Sequence, residues 1–343
     1  MTANLNSFLE IKDLVVEYTS EGSVVHAVNG VSFSLERGKT FGLVGETGAG
    51  KTSIAKAILR ILPDPPAKIK NGQIFLEGED LLKIDEKNMR KIRGRKISMI
   101  FQDPMTALNP IMKVGKQIEE VIKLHNTISS KQAREEAGKM LELVGIPGER
   151  FNDYPHQFSG GMKQRVIIAM ALACNPELLL ADEPSTALDV TIQAQVLEMI
   201  NKLKQELGTS MIMISHNLGV VADICDDLAV VYAGEVVEMG SKAAIFDRAA
   251  HPYTTGLFAA VPTLEEEKDR LAPISGLPPD PSNLPLGCHF YPRCPIAGAS
   301  RSASAWRSHA PPRTAPNWRW STWTWMGSRP STTSMAMRSA TKS

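Results

Sequence analysis

Between residues 40 and 63 the sequence leaves little freedom of fold. A short apolar run, Thr40-Phe-Gly-Leu-Val44, is followed by Gly45-Glu46-Thr47-Gly48-Ala49-Gly50-Lys51-Thr52 and then by Ser53-Ile-Ala-Lys-Ala-Ile-Leu-Arg-Ile-Leu62. The apolar run reads as a buried strand. Ile54, Ile58 and Leu62 recur at four-residue spacing, which predicts a helix over 53–62 with one apolar face, stopped by Pro63. A strand that turns through glycines into a helix start points successive backbone N–H groups inward and adds the partial positive charge of the helix end. That arrangement cradles a polyphosphate, with Lys51 reaching the β- and γ-phosphates and Thr52 a ligand for Mg²⁺.

The acidic partner lies further on. Leu178-Leu-Leu-Ala-Asp182-Glu183 is an apolar strand that ends in two carboxylates. Asp182 would sit beside the Mg²⁺, and Glu183 can act as general base on the water attacking the γ-phosphate. KISMIFQ (96–102) and TSMIMISH (209–216) read as further buried strands, whereas LEIKDLVVEY and VNGVSFSL alternate like half-buried antiparallel ones. Two amphipathic stretches within 113–158 predict a helical insertion in a parallel sheet. Together these features describe a nucleotide hydrolase with a phosphate-binding loop, without saying which.

Composition narrows the class by exclusion. The chain has 343 residues, 43% hydrophobic and 22% charged, which suits a cored protein of more than one structural unit and excludes disorder as the dominant state. The longest apolar run, Val166–Cys174, is half the length of a membrane-spanning helix, and MTANLNSFLEIKDL lacks the features of a signal peptide, so a cytosolic chain is expected. The net charge of +1 hides a split: residues 281–343 hold eight basic and no acidic side chains, leaving the rest acidic. An acidic body argues against strong nucleic-acid binding. Four cysteines, of which only Cys288 and Cys294 lie close together, argue against a disulfide framework, and Cys174, in the apolar helix that begins near Val166, and Cys225, before an apolar strand, read as small core residues.

Phe158-Ser159-Gly160-Gly161-Met162-Lys163-Gln164-Arg165 precedes an apolar helix some 20 residues before Asp182. Ser159 and the glycines suit a second anion site at a helix start, and in isolation suit a plain helix N-cap equally well. This stretch resembles the signature sequence of ABC ATPases. The resemblance implies a RecA-like P-loop α/β core with an antiparallel β subdomain and a helical insertion, and it implies roles for further residues. Tyr18 matches an aromatic that stacks on adenine, although a surface-strand tyrosine would look the same. Gln102 matches the glutamine that touches Mg²⁺ and the attacking water, and His216 the switch histidine that contacts the γ-phosphate. Ser185-Thr-Ala-Leu-Asp189 resembles the loop that faces the opposite subunit. Because each ATP in the family is sandwiched between the phosphate loop of one ATPase and the signature of another, the chain is expected to pair with a second ATPase domain, identical or paralogous.

A narrower resemblance, over roughly residues 7–296, is to the ATP-binding subunits of oligopeptide, dipeptide and nickel importers. It rests on FQDPMTALNP (101–110), FSGGMKQRV (158–166), HPYTTGLFAAVP (251–262) and GLPPDPSNLPLGCHFYPRCP (276–295). The last two lie outside the ATPase core and mark the subfamily rather than the chemistry. The resemblance implies two permease subunits in the membrane, an extracytoplasmic binding protein, and a peripheral place on the cytoplasmic face. The organisation expected is an ATPase domain over 1–250, with its helical part at about 103–160, an irregular extension over 251–296, and an aberrant tail over 297–343.

The tail departs from the pattern. Some relatives hold an iron–sulfur cluster through four C-terminal cysteines; Cys288 and Cys294 resemble the first two, Arg301 stands where the third would be, and no cysteine follows. An intact cluster is therefore not expected. Residues 297–343 contain no Leu, Ile, Val or Phe but all five tryptophans, which predicts disorder and suggests a reading-frame change. Three other readings compete: a soluble ABC ATPase acting on nucleic acid or in translation, a P-loop kinase, and a partner that binds ATP without hydrolysing it. The single cassette, the Ser-Gly-Gly signature, and the joint presence of Lys51, Asp182, Glu183 and His216 each weigh against one of them.

Overall fold

The computed structural model describes residues 7–20, 22–103, 107–185, 189–260 and 274–297. The chain divides into a unit over residues 1–301 and a second over 302–343, the latter wholly outside the described residues, as is the expectation of disorder for the tail from 298 onward.

Two sheets carry the fold. The first is antiparallel, with β1 (Leu9–Ser20), β2 (Ser23–Leu35), β4 (Ala67–Leu76) and β5 (Glu79–Asp80) in the order β2-β1-β4-β5. Alternate residues of β1, among them Leu9, Ile11, Leu14 and Val16, are buried, as half-exposed strands require. The second has the order β10-β9-β3-β8-β7-β6. In it β3 (Thr40–Val44), β6 (Ile97–Ile100), β7 (Leu178–Asp182), β8 (Ser210–Ile214) and β9 (Asp227–Tyr232) are parallel, and β10 (Glu235–Ser241) pairs antiparallel with β9. Every residue of β3, β7 and β8 is buried. A parallel strand covered on both faces has no position left for a polar stripe, which is why these segments read as unbroken apolar runs.

The helices α1 (Lys51–Ile58) and α2 (Glu86–Ile92) lie between the sheets in sequence, and α3 (Val114–His125), α4 (Ser130–Leu143) and α5 (Gly160–Leu172) separate β6 from β7. In α3 the buried Val114, Ile118 and Ile122 fall at four-residue spacing, and α4 opens with a capping box between Ser129 and Gln132. The helices α6 (Val190–Leu207), α7 (Leu218–Ile224), α8 (Lys242–Asp247) and α9 (Pro252–Ala259) complete the described set. None among the described residues is long and apolar enough to cross a membrane.

The structure corrects three local expectations. The helix after the glycine loop ends at Ile58 rather than Leu62. Arg60 takes a left-handed φ of 52°, with Arg60 N donating to Ala57 O and Ile61 N to Lys56 O, a Schellman cap that closes the helix before Pro63 acts, while the Arg60 guanidinium donates to the carbonyls of Leu81 and Ile84. Cys174 lies beyond the end of α5 and is only part-buried, whereas Cys225 is a buried core residue as expected. The C-terminal extension is not wholly irregular, because HPYTTGLFAA forms α9, capped by His251.

Candidate functional site

The adjacent strands β3, β8, β7 and β6 all run the same way, so Gly45, His216, Glu183 and Gln102 leave the same carboxyl edge of the sheet. That edge is where open parallel sheets bind ligands.

The loop after β3 depends on its glycines. Gly45 has φ 147° and a Cβ there would lie 2.0 Å from Val231 O; Gly50 has φ 101° and its Cβ would lie 2.2 Å from Ala27 O. No side chain fits at either position. Thr47 and Gly48 form the exposed tip, and Ala49 N donates back to Glu46 O at 3.2 Å. Lys51, at the start of α1, is only 5% exposed, and its Nζ donates to Gly45 O (2.7 Å) and Glu46 O (2.8 Å). Burial pulls its pKa below the ordinary lysine range, against the opposing fields of Glu183, Asp182 and Glu46. The ammonium is thus held under the loop, facing the carboxylates. On the other side, the hydroxyls of Tyr18 (β1) and Ser53 lie 3.1 Å apart.

The acids close the site. Thr52 Oγ1 donates to Asp182 Oδ1 at 3.1 Å. Asp182 is 2% exposed, and burial is the main cause that raises its pKa, while the Thr52 hydrogen bond opposes it. Glu183 sits in the left-handed region at φ 47°, with its N–H donating to Ile214 O on β8. This strained backbone turns the side chain out of the sheet. There, Glu183 Oε2 accepts from Gln102 Nε2 at 2.9 Å, and Oε1 lies 3.1 Å from His216 Nδ1. Beside them an open cleft of about 390 Å³ is lined by Thr52, Lys56, Phe101, Gln102, Asp103, Ala107 and Asp182.

The signature residues lie elsewhere. Ser159 caps α5, its Oγ accepting from Met162 N at 3.4 Å, and Gly161 passes so close to Ile192 that a Cβ would meet it at 2.8 Å. Asp189 precedes α6, and residues 186–188 of its loop lie outside the described set. Ser159, Gly160, Gly161, Met162 and Asp189 share no hydrogen bond with residues 45–53. Among the described residues, the buried Gln164 of α5 ties the signature helix to the catalytic strand, donating from Nε2 to Pro184 O, immediately after Glu183. Sequence reasoning did not single out Gln164, and nothing in the local pattern marks it.

Comparison with known proteins decides the family. Residues 28–186 match the ABC transporter family model, and residues 237–300 match the oligopeptide/dipeptide transporter C-terminal region. The oligopeptide transport ATP-binding protein OppD of Bacillus subtilis is 52% identical over 292 residues, covering 84% of this chain and 82% of that one. The dipeptide transport ATP-binding protein DppD of the same organism is 50% identical, covering 85% and 88%. The chain belongs to the ATP-binding subunits of the ABC transporter family. A solved ATP-binding cassette dimer, in a post-hydrolysis state bound to ADP and Pi, superposes with a TM-score of 0.62 at 25% identity, over 68% of this chain and 98% of that one. The chain is an ABC ATPase, with the P-loop α/β fold that the sequence implied.

Around this ABC ATPase site the C-terminal extension makes contacts that the sequence did not announce. Tyr253 Oη of α9 accepts from Glu46 N at 2.9 Å, and Arg293 forms a two-pronged ion pair with the Glu46 carboxylate. All four cysteines are free. Cys288 Sγ lies 3.9 Å from His251 Nε2, and no group of three or more His, Cys, Asp or Glu side chains among the described residues is arranged to hold a metal ion.

Proposed function

We propose that this chain is the ATP-hydrolysing subunit that energises import of peptides or similar small solutes through two permease subunits. The observation that carries the reading is the Glu183 carboxylate held between Gln102 and His216, at the edge of the loop that buries Lys51. In this reading the loop amides of residues 45–53 and Lys51 receive the β- and γ-phosphates, and the Tyr18 ring receives the adenine. Thr52 Oγ1, Asp182 and Gln102 supply the hard oxygens that suit Mg²⁺, and the buried Asp182, whose ionised form is costly where it stands, fits a divalent counter-ion. When bound, the metal offsets charge on the phosphate oxygens. Gln102 orients the attacking water and Glu183 takes its proton as the water oxygen bonds to the γ-phosphorus. The bond to the ADP oxygen then breaks, with His216 against the γ-phosphate. Ser159, Gly160, Gly161, Met162 and Asp189 complete the site of a second ATPase subunit, which explains why they stand apart from the loop of their own chain.

The organisation proposed is an ATPase domain over 1–250, whose part at about 103–160 faces the permeases, and an importer-type extension over 251–296, with the protein peripheral on the cytoplasmic membrane face. The relatives named above are peptide-transport proteins, so action on nucleic acid is not favoured. Two experiments test the reading. Glu183→Gln keeps the shape of the side chain and removes its basicity; kcat is expected to fall by roughly 10²–10⁴ while ATP binding persists. Near-normal hydrolysis would remove Glu183 from the base role. Affinity purification from detergent-solubilised membranes should recover two multi-span permeases and a second ATPase; recovery with nucleic-acid enzymes instead would end the transport reading.

A further inference from the structure

Glu46 places a carboxylate inside a loop built to hold a polyanion. Its backbone carbonyl accepts from Lys51 Nζ at 2.8 Å, so its charge lies within one residue of the ammonium that meets phosphate. Left unpaired, that charge would repel the ligand the loop binds. Arg293 answers it from the far end of the chain. Its Nη1 donates to Glu46 Oε2 at 2.8 Å and its Nη2 to Oε1 at 3.0 Å. The remaining donors are also taken: Nε by Ser275 O (3.1 Å), the second Nη1 proton by Tyr232 Oη (3.2 Å), and the second Nη2 proton by Ile274 O (3.3 Å). With all five N–H groups satisfied and its side chain only 5% exposed, the guanidinium has one orientation. Tyr253 fixes the same loop residue through its backbone, by accepting from Glu46 N.

We propose that Arg293 is a positioning residue for the nucleotide site: it neutralises Glu46 and holds it away from the phosphates, so that polyphosphate affinity depends on the seating of the C-terminal extension. The inference rests on the ATP-binding reading above. It concerns electrostatics at the loop, so its signature is the sign of each substitution and not the mere loss of a contact.

The test is equilibrium binding of a non-hydrolysable ATP analogue with Mg²⁺ to the full-length chain. Arg293→Met leaves an unpaired carboxylate beside the phosphates, and affinity is expected to fall about tenfold, or about 1.4 kcal/mol, less at high salt because screening weakens the repulsion. Glu46→Gln alone leaves an unpaired cation there, and tighter binding is expected, by roughly threefold. The double variant is expected to regain most of the affinity lost in Arg293→Met. A purely structural role for Arg293 predicts no such rescue, so a double variant as weak as Arg293→Met overturns the proposal. If Arg293→Met does not fold, Glu46→Gln decides alone, and unchanged or weaker binding overturns it. If the unaltered chain binds the analogue and Arg293→Met binds it equally well, this inference alone falls. If the unaltered chain binds no analogue, the ATP reading falls with it.

Discussion

Phe290 measures how far the C-terminal extension is one structure with the ATPase core. Its ring is 2% exposed and stands edge-on to Tyr232, with centroids 5.2 Å apart, and tilted against Tyr253 and His251 at 5.4 and 5.9 Å. Tyr232 ends β9 in the central sheet, and Tyr253 is bonded to the phosphate loop. Phe290→Ala therefore opens a cavity inside the same apolar cluster that holds Val44, Leu179 and Met213 of the sheet. Truncating a buried Phe costs about 3–5 kcal/mol, and the lost ring–ring geometry favours the upper half of that range. If extension and core unfold together, a cost of this size lowers Tm by roughly 6–15 °C. Calorimetry on the full chain, with limited proteolysis read by mass spectrometry, separates the possibilities. The expected result is a single transition moved down by that amount. A main transition within about 2 °C of the unaltered chain, with new cleavage confined to 251–297, would mean that the extension melts as an independent lobe, and the reasoning that joins it to the loop would be refuted.

Two further outcomes follow from the site. Asp182→Asn keeps the hydrogen bond from Thr52 and removes a carboxylate whose pKa burial raises. A raised carboxyl costs the folded state at neutral pH, so the ligand-free variant should melt higher than the unaltered chain. That gap should shrink as pH falls through the raised folded value and vanish below the ordinary aspartate range, where both states are protonated. Hydrolysis in the same variant should drop by at least about 10²-fold; a lower Tm at neutral pH would contradict the burial argument. Gly50→Ala drives a Cβ to 2.2 Å from Ala27 O at φ 101°, and should lower stability by about 1–3 kcal/mol and abolish nucleotide binding, as read by melting and by analogue titration.

Parts of this molecule are legible in sequence because the physics is local. The loop 45–52 announces itself, since strand, glycines and helix are covalent neighbours, and β3, β7 and β8 are legible because burial on both faces writes an unbroken apolar run. The grouping of Gln102, Glu183 and His216 is another matter. Its contacts span 81 and 33 residues, and only the family resemblance brought them together before the sheet order did. The end of α1 differs from the sequence reading because Pro63 supplies a visible stop, whereas the helix closes earlier through a left-handed Arg60, a cap position that glycine usually marks and arginine does not. The left-handed backbone of Glu183 carries no signal at all, because glutamate, unlike asparagine or aspartate, is not a residue type that advertises positive φ.

The C-terminal extension shows the same limit with a more useful consequence. In sequence it marks a subfamily and no chemistry, yet in the fold it supplies a hydroxyl and a guanidinium to the phosphate loop. One signal was present. Glu46 puts an acid where a polyanion must bind, and charge balance there requires a cation that the loop lysine, already assigned to phosphate, cannot supply. The sequence holds 38 lysines and arginines, and nothing local selects one that is 247 residues away. Selection comes from burial. A guanidinium taken out of water must satisfy five donors, and the pocket of Ile274, Ser275, Tyr232 and Glu46 supplies acceptors for all of them. The site's electrostatics therefore cannot be complete until the short helical turn Tyr291–Arg293, near the end of the described residues, has docked.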